Sequence, residues 1–71
     1  MDLIKIGKYI AFKRKEQDLT QKQLAEKLNM SDKSVSKWER GICLPDVSVY
    51  LELCKILDIS INEFLAGGRY T

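Results

Sequence analysis

The stretch Leu19-Thr-Gln-Lys-Gln-Leu-Ala-Glu-Lys-Leu-Asn-Met-Ser-Asp-Lys-Ser-Val-Ser-Lys-Trp-Glu-Arg-Gly41 decides the fold. Thr20 and Gln23 have capping-box spacing: the hydroxyl accepts from the N–H three residues on, and the glutamine side chain accepts from the cap's own N–H. Leu19 and Leu24 flank that box as a hydrophobic staple, and Leu24, Ala25 and Leu28 then share one helical face. Asn29 tolerates left-handed backbone and is the expected terminator. Ser31 follows as the next cap, Met30 and Val35 repeat the staple spacing, and Val35 with Trp38 makes a short apolar stripe closed by Gly41. Two helices of about 21–28 and 32–40, joined by a turn of three or four residues, form a helix-turn-helix.

The flanks extend the same pattern. Upstream, Ile6 and Ile10 open a helical stripe over about residues 4–16 that also carries Lys5, Lys8, Lys13, Arg14 and Lys15, with Asp18–Leu19 expected to end it. Downstream, Ile42–Pro45 reads as a loop. Asp46 then caps a helix over 47–57, in which Tyr50, Leu53, Cys54 and Leu57 recur at i, i+3, i+4, i+7. Ser60 and Glu63 form a second capping box, with Ile59 and Phe64 as its staple, and open a helix over 61–65 before Gly67–Gly68. Residues 1–66 therefore read as one all-α, five-helix domain, and 67–71 as a tail.

Composition narrows the function. A chain of 71 residues with 45% apolar and 31% charged side chains has room for one core and not for a deep substrate pocket. No apolar run approaches the ~20 residues that span a bilayer, so a cytoplasmic location is expected. Absence of histidine removes the usual general base and the commonest metal ligand. Cys43 and Cys54 lack zinc-site spacing and are expected to be reduced and buried. No glycine-rich phosphate loop or nucleophile–base pair is evident, so neither an enzyme nor a cofactor or metal site is expected. Net charge is +2 but unevenly distributed: residues 1–41 hold ten basic and six acidic groups, whereas 42–71 hold two basic and four acidic. That imbalance points to an anionic partner for the first half.

The run Leu19–Leu28, then Ser31–Val35, then Ser36-Lys-Trp-Glu-Arg-Gly41, with the Leu44-Pro-Asp46 turn and Ile59-Ser-Ile-Asn-Glu-Phe-Leu65, resembles the Xre/Cro type of phage-repressor helix-turn-helix. The resemblance covers roughly residues 4–66. It implies a compact lambda-repressor-like five-helix bundle that binds operator DNA, usually as a symmetric dimer, and represses transcription. Such a motif lays its second helix in the major groove, which here is Asp32–Arg40. By position the resemblance assigns base contacts to Asp32, Lys33, Ser34 and Lys37, chemistries that suit cytosine N4 (Asp), guanine O6 and N7 (Lys) and several bases (Ser). Phosphate contacts are expected from Gln21 at the first turn of the preceding helix, and from Lys22, Ser36, Arg40 and Lys13. Arg14 and Glu39 stand where similar repressors tie the first helix to the third by an ion pair.

Other side chains read as structural. Trp38 is expected to be a half-buried packing residue, and Cys54 and Tyr50 to fill core positions. Two positions depart from the family pattern: Lys13 stands where many members of the family carry leucine, with the neighbouring Phe12 shifting the apolar bulk by one residue, and Asp18 stands where glycine or asparagine is common. Either Lys13 snorkels toward phosphate or the first helix is slightly rotated, with Phe12 partly exposed. Leu51, Ile61 and Leu65, in a third with few basic groups, are candidates for a homodimer interface. No seat for a small-molecule effector is visible. A rival reading is a protein-interaction module of the same fold, an antitoxin or adaptor, with secondary or no DNA binding.

Overall fold

The computed structural model describes residues 2–68. Within them lie α1 (Leu3–Glu16), α2 (Gln21–Lys27), α3 (Asp32–Glu39), α4 (Val47–Leu57) and α5 (Ile61–Ala66), and no strand. Arg69–Thr71, most of the expected tail, fall outside the described residues.

Local capping explains the boundaries. Both capping boxes form, Thr20 with Gln23 and Ser60 with Glu63, and the Asp46 carboxylate accepts the Ser48 N–H at 3.1 Å. Helix α1 begins one residue earlier than the apolar stripe suggests, because Asp2 Oδ1 accepts the Lys5 N–H at 3.1 Å. Ser31 has the extended backbone of a cap, but its hydroxyl makes no capping bond. The capping expected of that side chain is absent.

The C-termini share one device. After each helix a left-handed residue (Asp18, Asn29, Gly41, Asp58 or Gly67) turns the chain. The N–H of the residue after it then reaches back into the last turn: Leu19 to Arg14 O, Met30 to Ala25 O, Ile42 to Lys37 O, Ile59 to Cys54 O and Gly68 to Glu63 O. These are Schellman closures, which satisfy carbonyls the helix leaves unpaired. Asp18 thus adopts the conformation that a glycine would take more cheaply.

All five helices supply the core: Ile6 and Ile10, Leu24 and Ala25, Val35 and Trp38, Leu53, Cys54 and Leu57, and Phe64. Burying such a side chain contributes about 1.5–3 kcal/mol. Trp38 is only 3% exposed, deeper than the half-buried role expected of it, because α1 and α2 both close over α3. Tyr50 is half-buried and meets Phe64 edge-on, with ring centroids 5.0 Å apart. Phe12 is 58% exposed, so α1 presents Ile6, Gly7 and Ile10 inward and leaves the phenyl ring outside. The cysteines divide: Cys54 is buried, whereas Cys43 is exposed, contrary to the expectation that both are inside.

Candidate nucleic-acid interface

The α3 helix has two unlike faces because its sequence does. Val35 and Trp38 are sealed into the core, while Asp32, Lys33 and Lys37 are exposed and Ser34 and Ser36 half-exposed. The sides are rigidly related, since a buried tryptophan and valine fix the rotation of an eight-residue helix. Asp32 lies in the first turn, where the helix dipole favours a carboxylate. Arg40, the residue after the last turn, donates from Nε to the Ser36 hydroxyl at 3.2 Å, so these two polar groups are joined on one side of the helix.

An ion pair fastens this helix to the scaffold. Arg14 Nε donates to Glu39 Oε2 at 2.6 Å and Nη2 to Oε1 at 3.0 Å, a fork-to-fork geometry. The Arg14 and Glu39 side chains are only 11% and 7% exposed. Arg14 Nη1 also donates to the Leu19 carbonyl at 2.7 Å, tying the pair to the turn between α1 and α2.

The network has a third member that sequence reasoning missed. Gln21 Nε2 donates to Glu39 Oε1 at 3.0 Å. The amide expected to hold phosphate thus also donates to the ion pair, which commits one of its two N–H groups. Lys22, beside it, is exposed and belongs to an open depression of ≈ 420 Å³ between α2 and the start of α3, shared with Glu26, Met30, Ser31 and Asp32.

Lys13 lies elsewhere. Its ammonium pairs with Glu16 at 2.7 Å, and that hydrogen bond raises the lysine's pKa above its ordinary value, with Tyr9 and Glu63 of α5 also acting on it. The lysine expected to meet phosphate therefore has a partner three residues along its own helix.

Gly7 is the other omission. A Cβ built there would stand 2.8 Å from the Glu39 carbonyl oxygen and closer still to that of Trp38. Bare backbone on α1 is what lets the two helices meet. A glycine directly after Ile6 and three residues before Ile10, inside a helical stripe, was the available signal.

The second half of the molecule offers a different surface. Leu51, Cys54, Ile59 and Ile61 line an open groove of ≈ 610 Å³ along α4 and α5, rimmed by Lys55 and Asp58. Leu51 is 69% exposed, whereas Ile61 and Leu65 are half-buried against the core. Among the described residues no group of His, Cys, Asp and Glu is placed to hold a metal ion. No helix there is long and apolar enough to cross a membrane.

A family model described as Helix-turn-helix matches residues 10–64, from the middle of α1 into α5. The chain belongs to the Xre/Cro-type helix-turn-helix family. This helix-turn-helix chain is 39% identical over 64 residues to the HTH-type transcriptional regulator DicA of Escherichia coli, covering 90% of this chain and 47% of that protein. It is 39% identical over 54 residues to the HTH-type transcriptional activator BcrR of Enterococcus faecalis, covering 76% of this chain and 26% of that protein. It therefore spans about half or less of the curated relatives it matches. Among solved structures, the restriction-modification controller protein C.AhdI of Aeromonas hydrophila superposes with a TM-score of 0.78 at 30% identity, over 89% of this chain and 91% of that one. The clp gene regulator ClgR of Corynebacterium glutamicum superposes at 0.81 with 22% identity, over 96% and 72% of the two chains, a likeness of fold.

Proposed function

We propose that this helix-turn-helix domain is a sequence-specific DNA-binding regulator of transcription that reads the major groove with α3. The observation carrying the reading is the division of α3 itself: an exposed polar edge of Asp32, Lys33 and Lys37, backed by a fully buried Val35 and Trp38. Lys33 and Lys37 donate to base edges, Ser34 supplies a short adaptable contact, and Asp32 accepts from cytosine. Lys22, Arg40, Ser36 and the α2 start at Gln21 hold phosphates, which set register without reading sequence. The relatives' names include both a regulator and an activator, and the proposal covers DNA recognition in either direction of control.

The binding unit is a homodimer acting in the cytoplasm. Its interface is the groove lined by Leu51 and Ile61, together with Leu65 of α5, on the half of the chain that carries few basic groups. Such a dimer sets its two recognition helices about 34–36 Å apart, one turn of duplex. Fold and relatives favour DNA recognition over chemistry, so no catalytic role is assigned.

Fluorescence-anisotropy titration with genomic DNA fragments at several salt concentrations tests this reading. Fragment-selective binding with a steep negative log–log salt slope supports it. Binding that ignores both fragment and salt refutes it and leaves the protein-interaction module standing.

A further inference from the structure

The ion pair is not the only hold α1 has on α3. Gly7 and Arg14 are seven residues apart, so they share one face of α1 two turns from each other. Both address the end of α3 at Glu39. Arg14 takes its carboxylate in a two-pronged grip. At Gly7 the α1 backbone lies against the carbonyls of Trp38 and Glu39, leaving no space for a Cβ. Those two carbonyls are rigid backbone, and Trp38 is wedged in the core. Any side chain at position 7 must therefore move one helix away from the other.

We propose that Gly7 is a positioning residue for DNA readout: its bare Cα sets how closely α3 seats on α1, and hence where the Asp32–Lys37 edge stands relative to the groups that hold phosphate. The inference rests on the DNA-binding reading above. Division of labour follows from the geometry. Arg14 fixes Glu39 through a flexible side chain that can follow a small shift, whereas the Gly7 contact is backbone against backbone and cannot yield. The phosphate candidates Lys22 and Gln21 sit on α2, and the base candidates on α3. A changed seat for α3 alone alters one set against the other.

This makes the sign of a substitution diagnostic. Replacing a glycine by alanine inside an open helix raises stability. Here Gly7→Ala is expected to lower it, and to lower discrimination between DNA sequences by more than the stability loss accounts for. Three chains are compared at a temperature where all are folded: wild type, Gly7→Ala, and Leu57→Val as a core-destabilised control whose change lies in α4. Each is titrated with a selected operator fragment and an unrelated fragment. The ratio of the two affinities should fall about tenfold in Gly7→Ala, the scale of one base contact, and stay within twofold of wild type in Leu57→Val. The affinity for the unrelated fragment and its salt slope should persist in Gly7→Ala, because every lysine remains. Emission from Trp38, the single tryptophan, should shift to the red in Gly7→Ala without DNA present.

If Gly7→Ala is too unstable alone, the same comparison is made in an Asp58→Gly background, where the left-handed φ of 59° favours glycine. An unchanged ratio and unchanged emission in folded Gly7→Ala overturn the inference while leaving the DNA-binding reading intact. Failure of wild type to discriminate any fragment overturns that reading, and this inference with it.

Discussion

Replacing Arg14 by alanine strands the Glu39 carboxylate at 7% exposure with Gln21 as its remaining side-chain donor. Breaking a buried ion pair from one side costs about 3–5 kcal/mol, against about 0–1 for an exposed one. Both partners here lie near the buried end, with a little water contact, so about 3 kcal/mol is expected. A domain of this length has a total stability of roughly 4–10 kcal/mol, so the loss is a large part of it. Thermal midpoints should fall by roughly 12–24 °C. Urea unfolding followed by circular dichroism measures the loss, and a double-mutant cycle with Glu39→Gln isolates the pair. The coupling should survive added salt because the pair is shielded from the ion atmosphere. Replacing both partners together, as Arg14→Met with Glu39→Leu, should recover most of the stability, since no charge is then left buried. A loss under about 1 kcal/mol for Arg14→Ala, or a coupling that salt abolishes, would refute the reasoning.

Other outcomes follow from the caps and the thiols. Asp58→Gly should stabilise by about 0.5–1 kcal/mol, the left-handed penalty less glycine's own entropy, read from chemical denaturation; a destabilised variant contradicts the Schellman account. The Ser48 hydroxyl, with the Ser48 N–H, holds the Asp46 carboxyl below its ordinary pKa. A depressed folded-state pKa stabilises above the unfolded value, and the benefit is lost as pH falls through the folded one. An NMR titration should therefore find Asp46 moving up in Ser48→Ala, and an unmoved Asp46 counts against the bond. A thiol reagent should modify exposed Cys43 quickly in the native chain, while buried Cys54, whose pKa burial pushes up, reacts only as the fold opens. Rapid reaction of both would contradict the core assignment.

Most of the fold was legible because its signals are local. The Thr20–Gln23 and Ser60–Glu63 boxes, and Asn29 and Gly41 as left-handed closers, depend on contacts within a few residues, which spacing encodes. What spacing does not encode is which partner a polar group finds across the bundle. Gln21 reads as a phosphate ligand alone until α3 brings Glu39 to it, whereas the Lys13–Glu16 pair, three residues apart on α1, was within reach of spacing. Gly7 carried the weakest signal, since a lone glycine in a helical stripe gains meaning only when another backbone presses on it. Even a local rule can mislead: Ser31 has a cap's backbone, yet its hydroxyl makes no capping bond.

The central claim, that the exposed edge of α3 reads bases, is tested most directly by measuring base preference at every position of one operator fragment for wild type, Lys33→Ala, Lys37→Ala and Lys22→Ala. The account predicts that each α3 variant loses about 1–3 kcal/mol of discrimination at its own base pair, whereas Lys22→Ala weakens all sequences alike and reduces the salt slope by about 0.9. Uniform weakening by all three variants, with every base preference intact, would contradict it.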